Sequence, residues 1–495
     1  MTEQASTIIS KVWSMCNPLR DNGVSYGDYL EQLTYLIFLK MADEYSKPPY
    51  NRDSGIPEGC TWENMHLLSG AELENKYGKI LETLGKQPGI LGAIFNHAHN
   101  KITNAAVLYR VVKMIDSEHW VAMASDVKGA IYEGLLQKNA EDVKSGAGQY
   151  FTPRPVIKAM IACLQPQPMQ TLADPCCGSG GFFLAAQEYV ANNYQLSREE
   201  KQFLKNETYY GWEIVPSTFK LSLMNLYLHN IGDIYGKVPI TLGDSLITDP
   251  GIRVDYVATN PPFGKKSSLT FTNDEGEQEE EDLVYNRSDF WATSSNKQLN
   301  FLQHINTLLK STGKAAVVLP DNVLFEAGAG EIVRKKLLET CDLHTILRLP
   351  TGIFYRPGVK ANVVFFDKRP AGAEVQTKEV WIYDLRTNMH FTLKKNPMQD
   401  KDLEEFVLCY NPANRFDRHE TYSEANPDGR WRRFSIEEIM ARDKTSLDIF
   451  WIKDKSLADL DNLPPSDVIA EEILENLQDA LASFAELQAK LKNGR

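Results

Sequence analysis

The chain lacks any uncharged apolar run of about 18 residues, the length that a bilayer-spanning helix needs. Its start, Met1-Thr2-Glu3-Gln4, has no basic region leading into a hydrophobic stretch, so the sequence predicts a cytoplasmic protein. Its seven cysteines, at 16, 60, 163, 176, 177, 341 and 409, show no metal-type spacing. They read as reduced thiols, and the adjacency of Cys176 and Cys177 argues against a shared zinc site, so no metal is expected. Positive charge is short as well, since 53 Lys and Arg against 66 Asp and Glu leave a formal net charge of −13. That balance opposes nonspecific attraction to phosphate backbones, so any grip on them must come mostly from a partner. A Walker-type Gly-x-x-x-x-Gly-Lys-[Ser/Thr] loop is missing too, which excludes nucleotide-driven translocation as this chain's own work.

What is present is ordinary globular material, 495 residues with 43% apolar and 24% charged side chains, enough for roughly two to four domains. Residues 1 to 145 read as a helical domain. Tyr29 to Met41 is apolar at i, i+3, i+4 and i+7 and nearly apolar all round towards its end, which predicts a buried helix. Further helices are predicted over Ala105 to Ile115 and Trp120 to Leu136. No catalytic signature falls in this region; it reads as a helical module with its own core, or as one that holds a partner or closes over substrate.

The texture changes at Ser145-Gly146-Ala147-Gly148-Gln149-Tyr150-Phe151-Thr152-Pro153. Thr152 followed by Pro153 predicts an N-cap and first helical residue, with a helix running through Val156 to Leu164. Next, Thr171-Leu172-Ala173-Asp174 predicts a short strand ending in an acid. Pro175-Cys176-Cys177-Gly178-Ser179-Gly180-Gly181 is a glycine-rich turn before an apolar helix, the layout of a nucleotide-type site at the carboxyl end of a parallel strand. The turn lacks Gly-x-Gly-x-x-Gly spacing, and its acid would repel a pyrophosphate. A cationic or hydroxylated ligand suits it better, such as the methionine ammonium of S-adenosylmethionine. Two further strands end near Glu213 and Asp244, acids placed to hold ribose hydroxyls and an adenine amino group respectively.

The strand Val254-Asp255-Tyr256-Val257-Ala258 runs into Thr259-Asn260-Pro261-Pro262-Phe263-Gly264. Two consecutive prolines cannot donate ladder hydrogen bonds, so the strand stops and leaves a rigid extended loop. Asn260 offers an amide oxygen, Pro261 a carbonyl with no N–H on the following residue, and Phe263 an aromatic face. Together they can accept two hydrogen bonds from a planar amino group and stack on its ring. Such an amine is a poor nucleophile because its lone pair is delocalised, and two acceptors draw it towards the tetrahedral form.

Three more strands are expected over Lys314 to Pro320, Thr345 to Pro350 and Ala361 to Phe366, making seven, with the last two antiparallel because no crossover helix fits between them. A polar insertion carries the charge block Asp274 to Asp282, which is expected to stay solvated and mobile, or to compete with phosphates for a basic surface near Lys265 and Lys266. Residues 371 to 465 show no chemistry. From Asp467 to Leu491, Ile473, Leu477, Leu481, Phe484, Leu487 and Leu491 repeat at threes and fours, the pattern of a partner-binding or self-packing helix.

Taken together, Asp174-Pro175-x-x-Gly178-x-Gly180-Gly181-Phe182 resembles the cofactor motif of S-adenosylmethionine-dependent DNA methyltransferases, and Asn260-Pro261-Pro262-Phe263 resembles their amino-methylating motif. Gly148 to Pro153, placed ahead of the cofactor motif, is similar to the gamma-class order. With the helical start and terminal helix, the chain resembles the modification subunit of type I restriction-modification systems. Cys176-Cys177 departs from the small residues more usual there.

The resemblance implies an α/β fold: a Rossmann-like seven-stranded methyltransferase domain over 146–370, after a helical domain over 1–145 and before a mixed extension over 371–465 and a partner-binding helical tail over 466–495. It implies methyl transfer to the N6 amine of adenine flipped out of duplex DNA. Catalysis would rest on Asn260, Pro261, Pro262 and Phe263, with the base stacked on Phe263 and Phe354. S-adenosylmethionine would lie on Tyr150, Phe151 and Thr152 at its methionine end, on Asp174, Gly178, Ser179 and Gly180 at the turn, on Glu213 at the ribose and on Asp244 at the adenine. Implied partners are DNA, a specificity subunit bound by two such chains, and a motor-nuclease subunit. Methylation of a protein glutamine amide or of RNA, and a non-catalytic scaffold, are the rival readings.

Overall fold

The computed structural model describes residues 26–121, 152–233, 236–264, 268–272, 278–282, 284–354, 358–372, 374–393 and 395–455, with Ser14, Ala470 and Leu474. Tyr150, Phe151, Lys265, Lys266, the helix expected beyond Val121 and the apolar stripe of the terminal helix lie outside the described residues. The chain forms two compact units, Met1–Gln149 with Gln165–Thr259, and Tyr150–Leu164 with Asn260–Arg495. No helix among the described residues is long and apolar enough to cross a membrane.

The first unit begins with α1 (Tyr26–Ser46), α2 (Gly70–Gly85), α3 (Gly89–Phe95) and α4 (Ala105–Asp116). The first and last of these contain the two expected helices. Leu33, Tyr35, Leu36, Ile37, Phe38 and Leu39 of α1 are all buried, so the helix is enclosed on every side as its sequence suggests. Asn104 starts α4 by accepting from the N–H groups of Ala106 and Val107 at 3.0 and 3.3 Å.

The chain then passes through α5 (Arg154–Leu164) of the second unit and returns to build β1 (Leu172–Asp174), α6 (Gly181–Asn193), α7 (Arg198–Asn206), β2 (Tyr209–Glu213), α8 (Pro216–Leu228), β3 (Ile240–Leu242) and β4 (Val254–Thr259). The strands lie in the order β3-β2-β1-β4, all parallel, with Leu172 opposite Tyr209 on one side and Tyr256 on the other. Every residue of β1 is buried, as an interior parallel strand requires. Helix α8 is buried from Phe219 to Leu228 apart from Lys220, because α1 and α3 pack against it. Lys220 donates to Glu31 at 2.8 Å and to the Tyr35 hydroxyl at 3.0 Å, and Arg52 donates to the Tyr227 carbonyl at 2.9 Å. The N-terminal helices therefore pack on the sheet's own helix as well as on one another.

In the second unit, the hairpin strands β5 (Ser268–Thr272) and β6 (Gln278–Asp282) precede α9 (Lys297–Leu308), β7 (Leu309–Pro320), α10 (Asn322–Phe325), α11 (Ala329–Thr340), β8 (Cys341–Arg348), β9 (Ala361–Lys368), β10 (Glu379–Asp384), α12 (Glu404–Tyr410), β11 (Trp431–Ser435) and α13 (Ile436–Met440). The strand order is β7-β9-β8-β10-β11, with β8 and β9 antiparallel as expected and β8 and β10 parallel. Among the described residues the sheet strands number nine rather than seven. The two missed are β10 and β11, from the stretch expected to be a mixed extension; the Trp381 and Trp431 indoles stack at 5.2 Å between them. The charge block is also corrected in part, because Gln278–Asp282 pairs antiparallel with Ser268–Thr272. Backbone pairing of two strands needs no apolar face, so the acids did not exclude a strand.

One further expectation shifts. Helix α5 begins at Arg154, and the Ile157 N–H bonds the Pro153 carbonyl at 3.1 Å, so Pro153 takes the cap position expected for Thr152. The Thr152 hydroxyl has another use.

Candidate active site

In the first unit, the acids expected at strand ends come together at the carboxyl ends of β1, β2 and β3. Asp174 closes β1 and is buried. Its Oδ1 accepts from the Thr259 hydroxyl at 2.6 Å and from the Cys176 N–H at 3.1 Å. Burial pushes its carboxyl up to about 7; the donors Thr259 and Cys176 work against the rise, and the charge of Glu213 adds to it. The turn is held to its surroundings through the Cys177 N–H to the Trp212 carbonyl at 2.9 Å, the Ser245 hydroxyl to the Pro175 carbonyl at 2.8 Å, and the Asn225 amide to the Ser179 carbonyl at 3.0 Å. Burial raises the thiols of Cys176 and Cys177 well above their ordinary value, so neither is a thiolate. Among the described residues no His, Cys, Asp and Glu groups converge as a metal site.

Two glycines of the turn have left-handed backbones for different reasons. Gly178, at φ 51°, opens onto space, with nothing within 4 Å of where a Cβ would stand. Gly180, at φ 80°, caps α6, and a Cβ there would meet Leu226 Cδ2 at 2.8 Å. The first leaves room for a ligand against the backbone, and the second lets α6 and α8 close together.

Glu213 is buried, accepts from the Val215 N–H at 2.8 Å, and is bonded by the Gly178 and Ile214 N–H groups. Burial raises its carboxyl and these donors resist the rise. The Glu213 carbonyl accepts from the Gly243 N–H at 2.9 Å, which sets Asp244 on the neighbouring strand end; Asp244 in turn accepts from the Leu246 N–H at 2.9 Å.

In the second unit, the Asn260 amide nitrogen donates to the Thr152 hydroxyl at 2.8 Å. This fixes the amide plane, with its donor end on Thr152 and its acceptor Oδ1 opposite. Thr152, expected beside a cofactor, holds Asn260 in this arrangement. Pro261 is buried while Pro262 and Gly264 are exposed. Gln298 of α9, which the sequence did not single out, donates from Nε2 to the carbonyls of Pro262 at 2.8 Å and Gly264 at 2.7 Å. The rings of Phe263 and Phe354 meet edge to face at 5.7 Å and 79°. Phe354 is only 3% exposed, so in this arrangement it props Phe263 and offers no open face of its own. The base of its loop is secured by Arg386, which donates to the Leu349 carbonyl at 2.9 Å and grips Asp321 with both terminal nitrogens at 2.6 and 2.9 Å.

Comparison with known proteins bears on both halves. Residues 123–447 match the N-6 DNA Methylase family, and residues 8–115 match the HsdM N-terminal domain. The methylase subunit of the type I restriction enzyme EcoKI of Escherichia coli K12 is 39% identical, over 98% of this chain and 95% of its own. That of the enzyme StySPI of Salmonella potsdam is also 39% identical, over 98% and 96%. The crystal structure of the EcoKI M protein superposes with a TM-score of 0.54 at 36% identity, covering 98% of this chain and 96% of that one. The chain belongs to the N-6 DNA methylase family, among the methylase subunits of type I restriction enzymes.

Proposed function

We propose that this chain transfers a methyl group from S-adenosylmethionine to the N6 amine of adenine in duplex DNA, as the modification subunit of a type I restriction-modification complex. The observation that carries this reading is the Asn260 amide held on Thr152 at the head of a Pro-Pro-Phe loop. The fit to the cofactor rests on the open space at Gly178 beside the buried carboxyls of Asp174 and Glu213. Asp174 with the turn at Gly178, Ser179 and Gly180, Glu213 and Asp244 would hold it, with Tyr150 and Phe151 completing the methionine end. When bound, the cofactor supplies an electrophilic sulfonium methyl.

The protein's own part is placement. Phe263 stacks the flipped base, fixing the plane of its amine. Asn260 Oδ1 and the Pro261 carbonyl accept the two amine hydrogens, which localises the nitrogen lone pair and aims it. Their acceptor strength is greatest once the amine has gained positive charge, so the loop binds the transition state better than the base. The surplus proton passes from the already cationic nitrogen to solvent water, and no strong base is needed.

The net charge of −13 supports reliance on other subunits for DNA affinity and sequence choice. A specificity subunit bound by two copies of this chain, and a motor-nuclease subunit for restriction, complete the proposed cytoplasmic assembly. The helical start over 1–145 and the partner-binding helix over 466–495 belong to the same proposal, while β10 and β11 carry the sheet beyond 371.

The test is transfer of labelled methyl from S-adenosylmethionine to unmethylated DNA, with and without co-expressed specificity subunit, for wild type and Asn260→Ala. Label on adenine that needs the partner and is lost in the variant is the expected result. Label on protein or RNA, or none despite cofactor binding, overturns it.

A further inference from the structure

The polar residues of α9 look like a solvent stripe in the sequence, yet Gln298, Asn300, Gln303, His304 and Thr307 are all buried. Gln298, Asn300 and Gln303 face inward because each bonds irregular backbone that has no ladder partner of its own, while His304 and Thr307 meet the side chains of Arg287 and Asp289. Asn300 donates to the Ser294 carbonyl at 2.8 Å, and Gln303 brackets Ala292 through both its N–H and its carbonyl, at 2.8 and 3.1 Å. Gln298 does the same for the catalytic loop. Its two amide hydrogens are both committed, one to the Pro262 carbonyl and one to the Gly264 carbonyl. Two carbonyls on one side fix the orientation of the side-chain amide, since an oxygen turned towards them would be repelled.

We infer that Gln298 is a positioning residue for methyl transfer, a clamp that sets the pose of Phe263 and decides which loop carbonyl meets the amine. The inference rests on the functional reading above and extends it to a residue outside the Asn-Pro-Pro-Phe motif. The two clamped carbonyls lie on either side of Phe263 in the chain, so the backbone that carries the stacking ring is held both before and after it. The Phe354 edge contact then limits the ring's own rotation. By occupying the carbonyls of 262 and 264, Gln298 takes two main-chain acceptors out of competition for the adenine amine. The Pro261 carbonyl, beside Asn260, is not among those it takes.

The test uses the full chain co-expressed with its specificity subunit, on a duplex with 2-aminopurine in place of the target adenine and on the unmodified duplex. Gln298→Met keeps the length of the side chain without its donors, and Gln298→Glu replaces the donor pair by a carboxylate. Thermal unfolding of both variants beside the wild type separates a lost fold from a lost clamp, since Gln298 is buried. The expected result for Gln298→Met is a fall in single-turnover rate on the order of 10²-fold, the penalty for a misplaced reacting group. Cofactor Kd stays within about twofold, and 2-aminopurine fluorescence is changed, because the flipped base no longer stacks as in the wild type.

Gln298→Glu supplies the signature that a general structural role would not give. A protonated carboxyl can donate one hydrogen to a loop carbonyl and a carboxylate cannot. Its activity relative to wild type should therefore climb as pH falls. A wild-type rate for Gln298→Met, or a Gln298→Glu to wild-type ratio that does not change with pH, overturns the clamp while leaving the proposed activity intact. Absence of adenine methylation by the wild-type complex in the same assay would overturn both.

Discussion

Thr259 donates its hydroxyl hydrogen to Asp174 at 2.6 Å, and the next residue in the chain is Asn260. With that hydrogen committed, the 3.0 Å contact between Thr259 and Cys176 has the thiol as donor. The last side chain of β4 thus belongs to the glycine-rich turn. Thr259→Val keeps the shape and removes the hydroxyl, leaving a buried carboxyl short of a donor. We predict a stability loss of about 1–3 kcal/mol and an S-adenosylmethionine affinity weakened by about tenfold, equivalent to 1.4 kcal/mol. Denaturant unfolding and calorimetric titration measure the two; an unchanged Kd would show that the turn does not depend on this bond.

The pH dependence of Asp174 has a definite sign. Folded, its carboxyl keeps its proton up to about 7; unfolded, it releases it near 3.8. Between those values the folded state holds more protons, so this residue's contribution is complete below the lower value and is lost as pH rises through the upper one. A cationic ligand favours the carboxylate, so cofactor binding at about pH 6 should release close to one proton and tighten towards pH 7. Titrations in buffers of different ionisation enthalpy count that proton, and Asp174→Asn should abolish its release.

Gly178 and Gly180 should separate binding from stability. Gly178→Ala puts a methyl into open space on a left-handed backbone, costing about 1 kcal/mol of strain while obstructing the ligand. Gly180→Ala forces that methyl onto Leu226 and should lose about 1–3 kcal/mol of stability. Leu226→Val in the same chain should restore part of that loss. Thermal unfolding paired with cofactor titration distinguishes the two, and equal effects on Kd would refute the division.

Thr152→Val should leave cofactor Kd unchanged and lower the single-turnover methylation rate by about tenfold, the scale of a lost orienting contact. Thr152→Ser, which keeps the hydroxyl, should recover most of that rate. A rise in cofactor Kd with the rate preserved would return Thr152 to the cofactor side.

The parts of this molecule that were legible in the sequence are those written in local chemistry. Strands closing on Asp174, Glu213 and Asp244, and a loop stopped by Pro261 and Pro262, announce themselves within a few residues. What was hidden depends on distant partners. Gln298 lies well beyond the loop it holds and sits on a helix whose polar face imitates a surface. Thr152 read as a cap because Thr-Pro is a good cap, yet the helix's first bond falls on the Pro153 carbonyl and the Thr152 hydroxyl meets Asn260. Strands β10 and β11 escaped because Val380 to Tyr383 is a short run and Trp431-Arg432-Arg433-Phe434 alternates weakly, while β10 is placed by pairing with β8 and β11 by pairing with β10. Phe354 was picked for an aromatic face, and its burial against Phe263 is set by packing that no local pattern shows.

The seating of α8 beneath α1 and α3 constrains how such proteins can be cut and recombined. A fragment starting at residue 146 would strip α8 of the helices packed on it, uncovering Tyr227, whose ring meets Phe38, and leaving Lys220 without Glu31. Such a fragment should aggregate rather than act as a minimal catalyst. For the same reason the N-terminal helices cannot be traded between relatives as an independent cassette. They and the strands that carry Asp174 and Glu213 are heritable only as a matched pair, so a chimera joined between them needs residues 31, 35, 52, 220 and 227 to come from a single parent.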